Sequence, residues 1–239
     1  MQYALEQPLA IQAEQSERVA FIRRTYLHLA GAFLAFTGIL FAIFKWMPAE
    51  LSEQMLIWRS QPMNAFIIVV AFVGVGYLAR WWAMNGGSQA MQYLGLSLYV
   101  AFMAFMFVPL IYIVLYYYTD PTILTSAGVL TLCITGGLTT AVFVTRKDFS
   151  FLAPIISVAS WLAIGVIVLA IFFPAAFNLG MWFSLAMIAL CCARILYDTS
   201  NVLHHFRTDQ HVAASLELFS SIAVLLYYII MLLLQSKRE

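Results

Sequence analysis

Residues 149 to 193 carry no charged side chain. A run of that length cannot be stabilised as one soluble helix, and it is too long for one membrane crossing of about 20 residues. It must therefore fold as two apolar segments joined by a turn, and PAAFN at 174 to 178 supplies the turn chemistry. The rest of the chain has the same character. Of its 239 residues 64% are hydrophobic and 10% charged, against about 45 to 50% apolar in soluble domains. Seven apolar segments are marked, at about 27 to 46, 64 to 83, 92 to 117, 123 to 145, 151 to 173, 177 to 198 and 212 to 234, each long enough for a ~30 Å hydrocarbon core. A backbone in lipid must satisfy its own hydrogen bonds. The period-two alternation of a barrel strand is absent, so the segments are predicted to be helices. The fold class is all-α, a polytopic seven-helix membrane protein with a tail over 1 to 24 and a transmembrane domain over 25 to 239. Breaks are expected at Pro48, Pro62, Gly86 and Gly87, Asp120 and Pro121, and Arg146 to Asp148.

The first 26 residues contain Glu6, Glu14 and Glu17 and no continuous apolar core, so they do not read as a signal peptide. Counting Lys and Arg by loop orients the bundle. With a cytoplasmic N-terminus, Arg18, Arg23, Arg24, Arg80, Arg146, Lys147 and Arg207 fall inside, and Lys45 and Arg59 outside. Lys237 and Arg238 fall outside if the last segment spans and inside if it re-enters; its length favours spanning. Trp46, Trp58, Trp81, Trp82, Tyr116 to Tyr118 and Trp182 lie at segment ends, as interfacial anchors do.

Several chemistries are excluded or disfavoured. Net charge is +1 with no basic run beyond two residues, which gives nucleic acid nothing to bind. Cys133, Cys191 and Cys192 form no CxxC or Cys/His pattern and read as packing residues. Lys45, Lys147 and Lys237 all lie at segment ends, so no mid-membrane Schiff-base lysine exists, and there is no GxSxG, HExxH or Walker A sequence. No cofactor and no enzymatic activity are expected.

Ionisable groups inside spans are expensive and therefore candidates for function. They are His28, Arg80, Arg194, Asp198 and Glu217. Arg194 and Asp198 are four apart on one helix and can pair. Glu217 stands near the start of the last helix and can meet Asp198 across the helix pair. Two carboxylates in proximity resist joint ionisation, and such a pair can bind a hard cation such as Ca²⁺ or respond to pH; equally, each acid can be held by an arginine. His204, His205 and His211 in HHFRTDQH lack the i, i+4 spacing of a helical zinc site and read as loop residues able to modulate pH response. Thr131, Thr135 and Thr139 form a polar stripe beside Gly128, Gly136 and Gly137, suited to helix packing or to lining a pore.

The entry into the first span, ERVAFIRRTYLHLAGAFLAFTGIL, and the end of the chain, RILYDTSNVLHHFRTDQHVAASLELFSSIAVLL, resemble the Bax inhibitor-1 family, especially its bacterial YccA-like members. The resemblance covers the whole chain in segment count and order and is most specific in the first and last two spans. It implies a last helix surrounded by the other six, a bacterial inner-membrane location, and for many members a pH-sensitive Ca²⁺ leak controlled by two aspartates. The first aspartate carries over to Asp198, with Arg80 or Arg194 as its basic partner. The second does not: Phe219 or Ser220 stands in its place, and Glu217 substitutes for it if Ser220 is the equivalent position. The resemblance also implies an alternative, modulation of the membrane protease FtsH through the N-terminal tail.

Overall fold

The structure is a computed structural model, and it describes residues 8 to 84, 88 to 177 and 179 to 237. Among the described residues eight α-helices run in chain order: α1 Gln15–Trp46, α2 Ala49–Ser60, α3 Pro62–Ala83, α4 Gln89–Tyr112, α5 Thr122–Thr145, α6 Ala153–Phe172, α7 Met181–His204 and α8 His211–Ser236. All but α2 are long and apolar enough to cross a membrane, giving the seven spans expected. The expected breaks at Gly86, Gly87 and Asn178 lie outside the described residues.

Local chemistry explains most of the boundaries. Pro62 opens α3 at a position where its missing N–H costs no helical bond. The Ser88 hydroxyl accepts from the backbone N–H of Met91 and caps α4. Arg146 ends α5 in the left-handed region with φ 52°. Pro109 inside α4 cannot donate to the helical ladder, and the helix widens four residues later into a π-turn over Ile113–Tyr117.

Two elements depart from the sequence expectation. The first helix starts at Gln15, so residues 15 to 24 of the expected tail are helical and α1 extends ~48 Å, well beyond a ~30 Å core. Its extra turns carry Arg18, Arg23 and Arg24. The second departure is α2, a 12-residue helix in the first loop. It is too short to span; Pro48 stands at its N-cap and Glu50 in its first turn, where an acid favours the helix start.

The last helix forms the axis of the bundle. Val212 to Leu216 and Leu218 to Ala223 are all buried. Consecutive buried positions point in every direction around a helix, so this half of α8 is enclosed on all sides. α7, α1, α5, α4 and α3 pack against it. α6 takes a different place, leaning on α3 and α7 at the rim. That position explains its sequence: Ile156 is its one buried side chain among the described residues, and Val158, Trp161 and Leu162 face outward. An outward apolar surface is what lipid solvates.

Contacts at the two ends fix the course of α8 through the bundle. At its C-terminus Gln235 accepts from the Ser184 hydroxyl at 2.9 Å and donates to the Leu179 carbonyl at 3.0 Å, while Lys237 pairs with Asp120 in the α4–α5 loop. At the other end residues beside Arg207 hold the start of the chain, with Ala10 N donating to Phe206 O at 2.9 Å. The helix therefore runs the whole height of the bundle, antiparallel to α7.

Candidate functional site

The intramembrane charges converge on one face of α8. Glu217, Ser220 and Ser221 are spaced i, i+3 and i+4 and so share a helical face, as do Arg194 and Asp198 on α7. Where those faces meet, beside the last turn of α3, four charged side chains interlock. Arg80 Nε donates to Glu217 Oε1 at 2.6 Å, and Arg194 Nη2 donates to Glu217 Oε2 at 3.2 Å. Each oxygen of Glu217 is thus claimed by a different arginine. Arg194 Nε stands 3.7 Å from Asp198 Oδ2 on its own helix and donates to the Ser221 hydroxyl at 3.1 Å. Ser221 in turn donates to Asp198 Oδ2.

A second strand of the network runs to α4. Arg80 Nη2 donates to Ser220 Oγ at 3.3 Å, and Ser220 shares a 2.8 Å hydrogen bond with the buried Tyr99 hydroxyl. Burial is graded across the site. The side chain of Asp198 is 3% exposed and that of Glu217 14%, against 31% for each arginine. The two acids are inside and the two bases lead outward. Two positive and two negative groups balance, which is the arrangement that makes buried charge tolerable.

Three sequence expectations are refined here. The direct partner of Asp198 is Arg194; Arg80 pairs with Glu217 and lies one link away. Asp198 and Glu217 are joined through Arg194 and Ser221, so guanidinium and hydroxyl groups stand in the role that a shared proton has in a bare acid pair. The α8 residue that meets Asp198 directly is Ser221, while Ser220 meets Arg80 and Tyr99 and Glu217 meets the two arginines. The sequence does not single out Tyr99 and Ser221, although the i+4 spacing from Glu217 marks the serine.

The network leaves no room for a resident Ca²⁺ among its carboxylates. Such an ion takes about six to eight oxygen ligands, whereas both carboxylates are engaged by arginines, and among the described residues no group of three His, Cys, Asp or Glu side chains has metal-binding geometry. The residues do not fit a tightly held structural Ca²⁺.

The remaining candidates are dispersed. His204 bonds through Nδ1 to the Ser200 carbonyl at 3.0 Å, and His205 Nε2 meets Asp148 Oδ2 at 3.1 Å. His211 lies against His28 with ring centroids 4.9 Å apart and the rings tilted by 59°, away from that pair. Asp148 lies in the α5–α6 loop; the backbone N–H of Ser150 donates to it at 2.9 Å and, with His205, holds its carboxyl below the usual carboxylate range. The threonine stripe faces the bundle interior. Thr131 is buried and donates to the Ala127 carbonyl at 2.7 Å, as hydroxyls do in packed membrane helices. The Thr135 hydroxyl is buried without a hydrogen-bond partner among the described residues. On the opposite end of the bundle, Arg59 from α2 donates to the Tyr227 hydroxyl at 2.8 Å, a contact between two residues that sequence reasoning had not connected.

Comparison with known proteins agrees with the fold. The family model described as "Inhibitor of apoptosis-promoting Bax1" matches residues 18 to 238. An uncharacterized protein of Pseudomonas aeruginosa is 28% identical over 210 residues, covering 88% of this chain and 86% of its own. Bax inhibitor 1 of Schizosaccharomyces pombe is 28% identical over 206 residues, 86% of this chain and 72% of its own. A BI1-like protein of Arabidopsis thaliana is 31% identical over 120 residues, about half of each chain. No solved structure matches significantly. The match over most of the chain, on a seven-span bundle closed around its last helix, establishes that this multi-pass membrane protein belongs to the Bax inhibitor-1 family.

Proposed function

We propose that this chain is a pH-sensitive cation leak, passing Ca²⁺, whose closed state is held by the Arg80, Glu217, Arg194 and Asp198 network. One observation carries the reading: Arg194 is bonded at once to an acid on α8 and to an acid on its own helix, inside a membrane bundle. A charge network of this kind has a cost that a purely structural core avoids, since apolar residues of similar volume pack as well or better. It is also bistable in principle. Neutralising either carboxylate, by a proton or by substitution, leaves Arg194 with half its partners and weakens the hold of α7 and α3 on α8. A shift in that equilibrium is what gating requires. Ca²⁺ enters this scheme as cargo, which suits a site whose carboxylates are already paired.

In this reading the N-terminus is cytoplasmic in a bacterial cell, with the network toward that side of the inner membrane. The Lys and Arg asymmetry supports this orientation. The test is Ca²⁺ flux into proteoliposomes across about pH 5 to 8, the range in which such switches operate, for the natural protein, Asp198→Asn and Glu217→Gln. Flux that varies with pH and changes in both variants is expected. Flux no greater than that of empty liposomes sinks the leak reading and turns attention to modulation of a membrane protease such as FtsH.

A further inference from the structure

A lateral groove of about 560 Å³ opens between α1 and α4 on the outside of the bundle. Its lining includes small residues, Gly31, Ala32 and Ala35 from α1 and Ser97 and Ala101 from α4. From Leu27 to Ile39 the lining of α1 rises ~18 Å, close to the depth of one leaflet of a ~30 Å core. The groove is apolar along its length and polar at one end. There His28 Nε2 bonds to the Tyr93 hydroxyl at 2.9 Å, and the buried Nδ1 of the neighbouring His211 has no hydrogen-bond partner among the described residues.

The same helical faces continue past that end with positive charge. Arg24 precedes His28 by four residues, Gly31 by seven and Ala35 by eleven, and so projects on the groove side of α1; Arg23 stands in the same relation to Leu27. Both arginines are exposed. Glu17 shares the face of Arg24 but lies two further turns away, beyond the groove's mouth. An apolar slot one leaflet deep, with imidazole, phenol and two guanidinium groups at its interfacial end, matches a lipid with acyl chains and a negative headgroup.

We propose that the α1–α4 groove is a binding site for an anionic phospholipid, with one acyl chain laid over Gly31 and Ala35 and the phosphate held beside His28, Arg23 and Arg24. The site is separate from the charge network and does not depend on whether the protein conducts ions. Each arginine near an anionic surface contributes about 1 kcal/mol, or roughly fivefold in affinity.

The purified full-length chain in detergent, delipidated and then exposed to equal amounts of phosphatidylglycerol and phosphatidylcholine of matched chains, is read by native mass spectrometry. Retained phosphatidylglycerol in at least about fivefold excess is expected. A Cβ at Gly31 meets nothing within 4 Å, so a side chain there starts in the open space of the groove; Gly31→Leu should lose the adduct while keeping the thermal midpoint of the natural protein. The double variant Arg23→Gln, Arg24→Gln changes only exposed residues and should keep adducts but lose the preference for phosphatidylglycerol. Equal retention of the two lipids by the natural protein overturns the proposal, as does undiminished retention by Gly31→Leu. A concentration-dependent dimer that Gly31→Leu abolishes overturns it too, because a second copy of the chain would then occupy the groove.

Discussion

Arg80 Nε and Glu217 Oε1 lie 2.6 Å apart although 137 residues separate them, and this contact ties α3 to the central helix at the depth of Asp198. Glu217 spends its other oxygen on Arg194. The acid on α8 is thus the hub on which two outer helices depend, and variants of its partners should differ in a predictable order.

Arg194→Gln strips both carboxylates of a partner, whereas Arg80→Gln strips only Glu217. Removing one member of a fully buried pair costs about 3 to 5 kcal/mol, and a side chain near one-third exposed should cost less, so about 1 to 3 kcal/mol is expected for Arg194→Gln. Arg80→Gln should lose less than that. Denaturation midpoints in detergent check the order, and equal losses would show that Asp198 does not depend on Arg194.

Gly95 on α4 sets how closely α3 approaches. A Cβ there would meet the Ala79 carbonyl oxygen at 2.5 Å and the Ala83 nitrogen at 3.0 Å, both backbone atoms that cannot step aside. Gly95→Ala should destabilise the protein by about 1 to 3 kcal/mol, through separation of the two helices. Gly128→Ala serves as the control, since its Cβ meets nothing within 4 Å.

The Asp148 contact with Ser150 and His205 makes a pH prediction whose sign is determined. A carboxyl held below its unfolded value stabilises the fold above the unfolded pKa, about 3.9, and loses that contribution as pH falls through the lower folded value. The difference in thermal midpoint between the natural protein and Asp148→Asn should therefore be flat near neutrality and close below about pH 4. A gap that instead closes between neutrality and pH 5 would assign the dependence to another group.

The course of α8 through the whole height of the bundle predicts that its two ends face opposite sides of the membrane. A cysteine placed at Ser236 should react with an impermeant thiol reagent from outside the cell, and one placed at His205 should react only after the membrane is opened. The reverse pattern would overturn the orientation, and labelling of both from one side would overturn the spanning of α8.

Seven spans, their approximate limits and the identity of every intramembrane charge were legible in the sequence, because the hydrocarbon core admits few alternatives: a charge-free run such as 149 to 193 must cross twice, and each crossing must be a helix. Spacing also foretold that Arg194 can reach Asp198, since i, i+4 neighbours meet on any helix. It was silent on α2 as an element, because 12 residues of mixed polarity beside Pro48 read equally as a loop. Which arginine serves which acid, the seating of Ser221 between Arg194 and Asp198, the reach of Tyr99 to Ser220 and the removal of α6 to the rim were decided by tertiary packing alone. Periodicity specifies the face a residue occupies on its own helix, whereas the partner it finds depends on how the helices rotate and cross, and in this bundle the burial of α8 on every side is what sets those rotations.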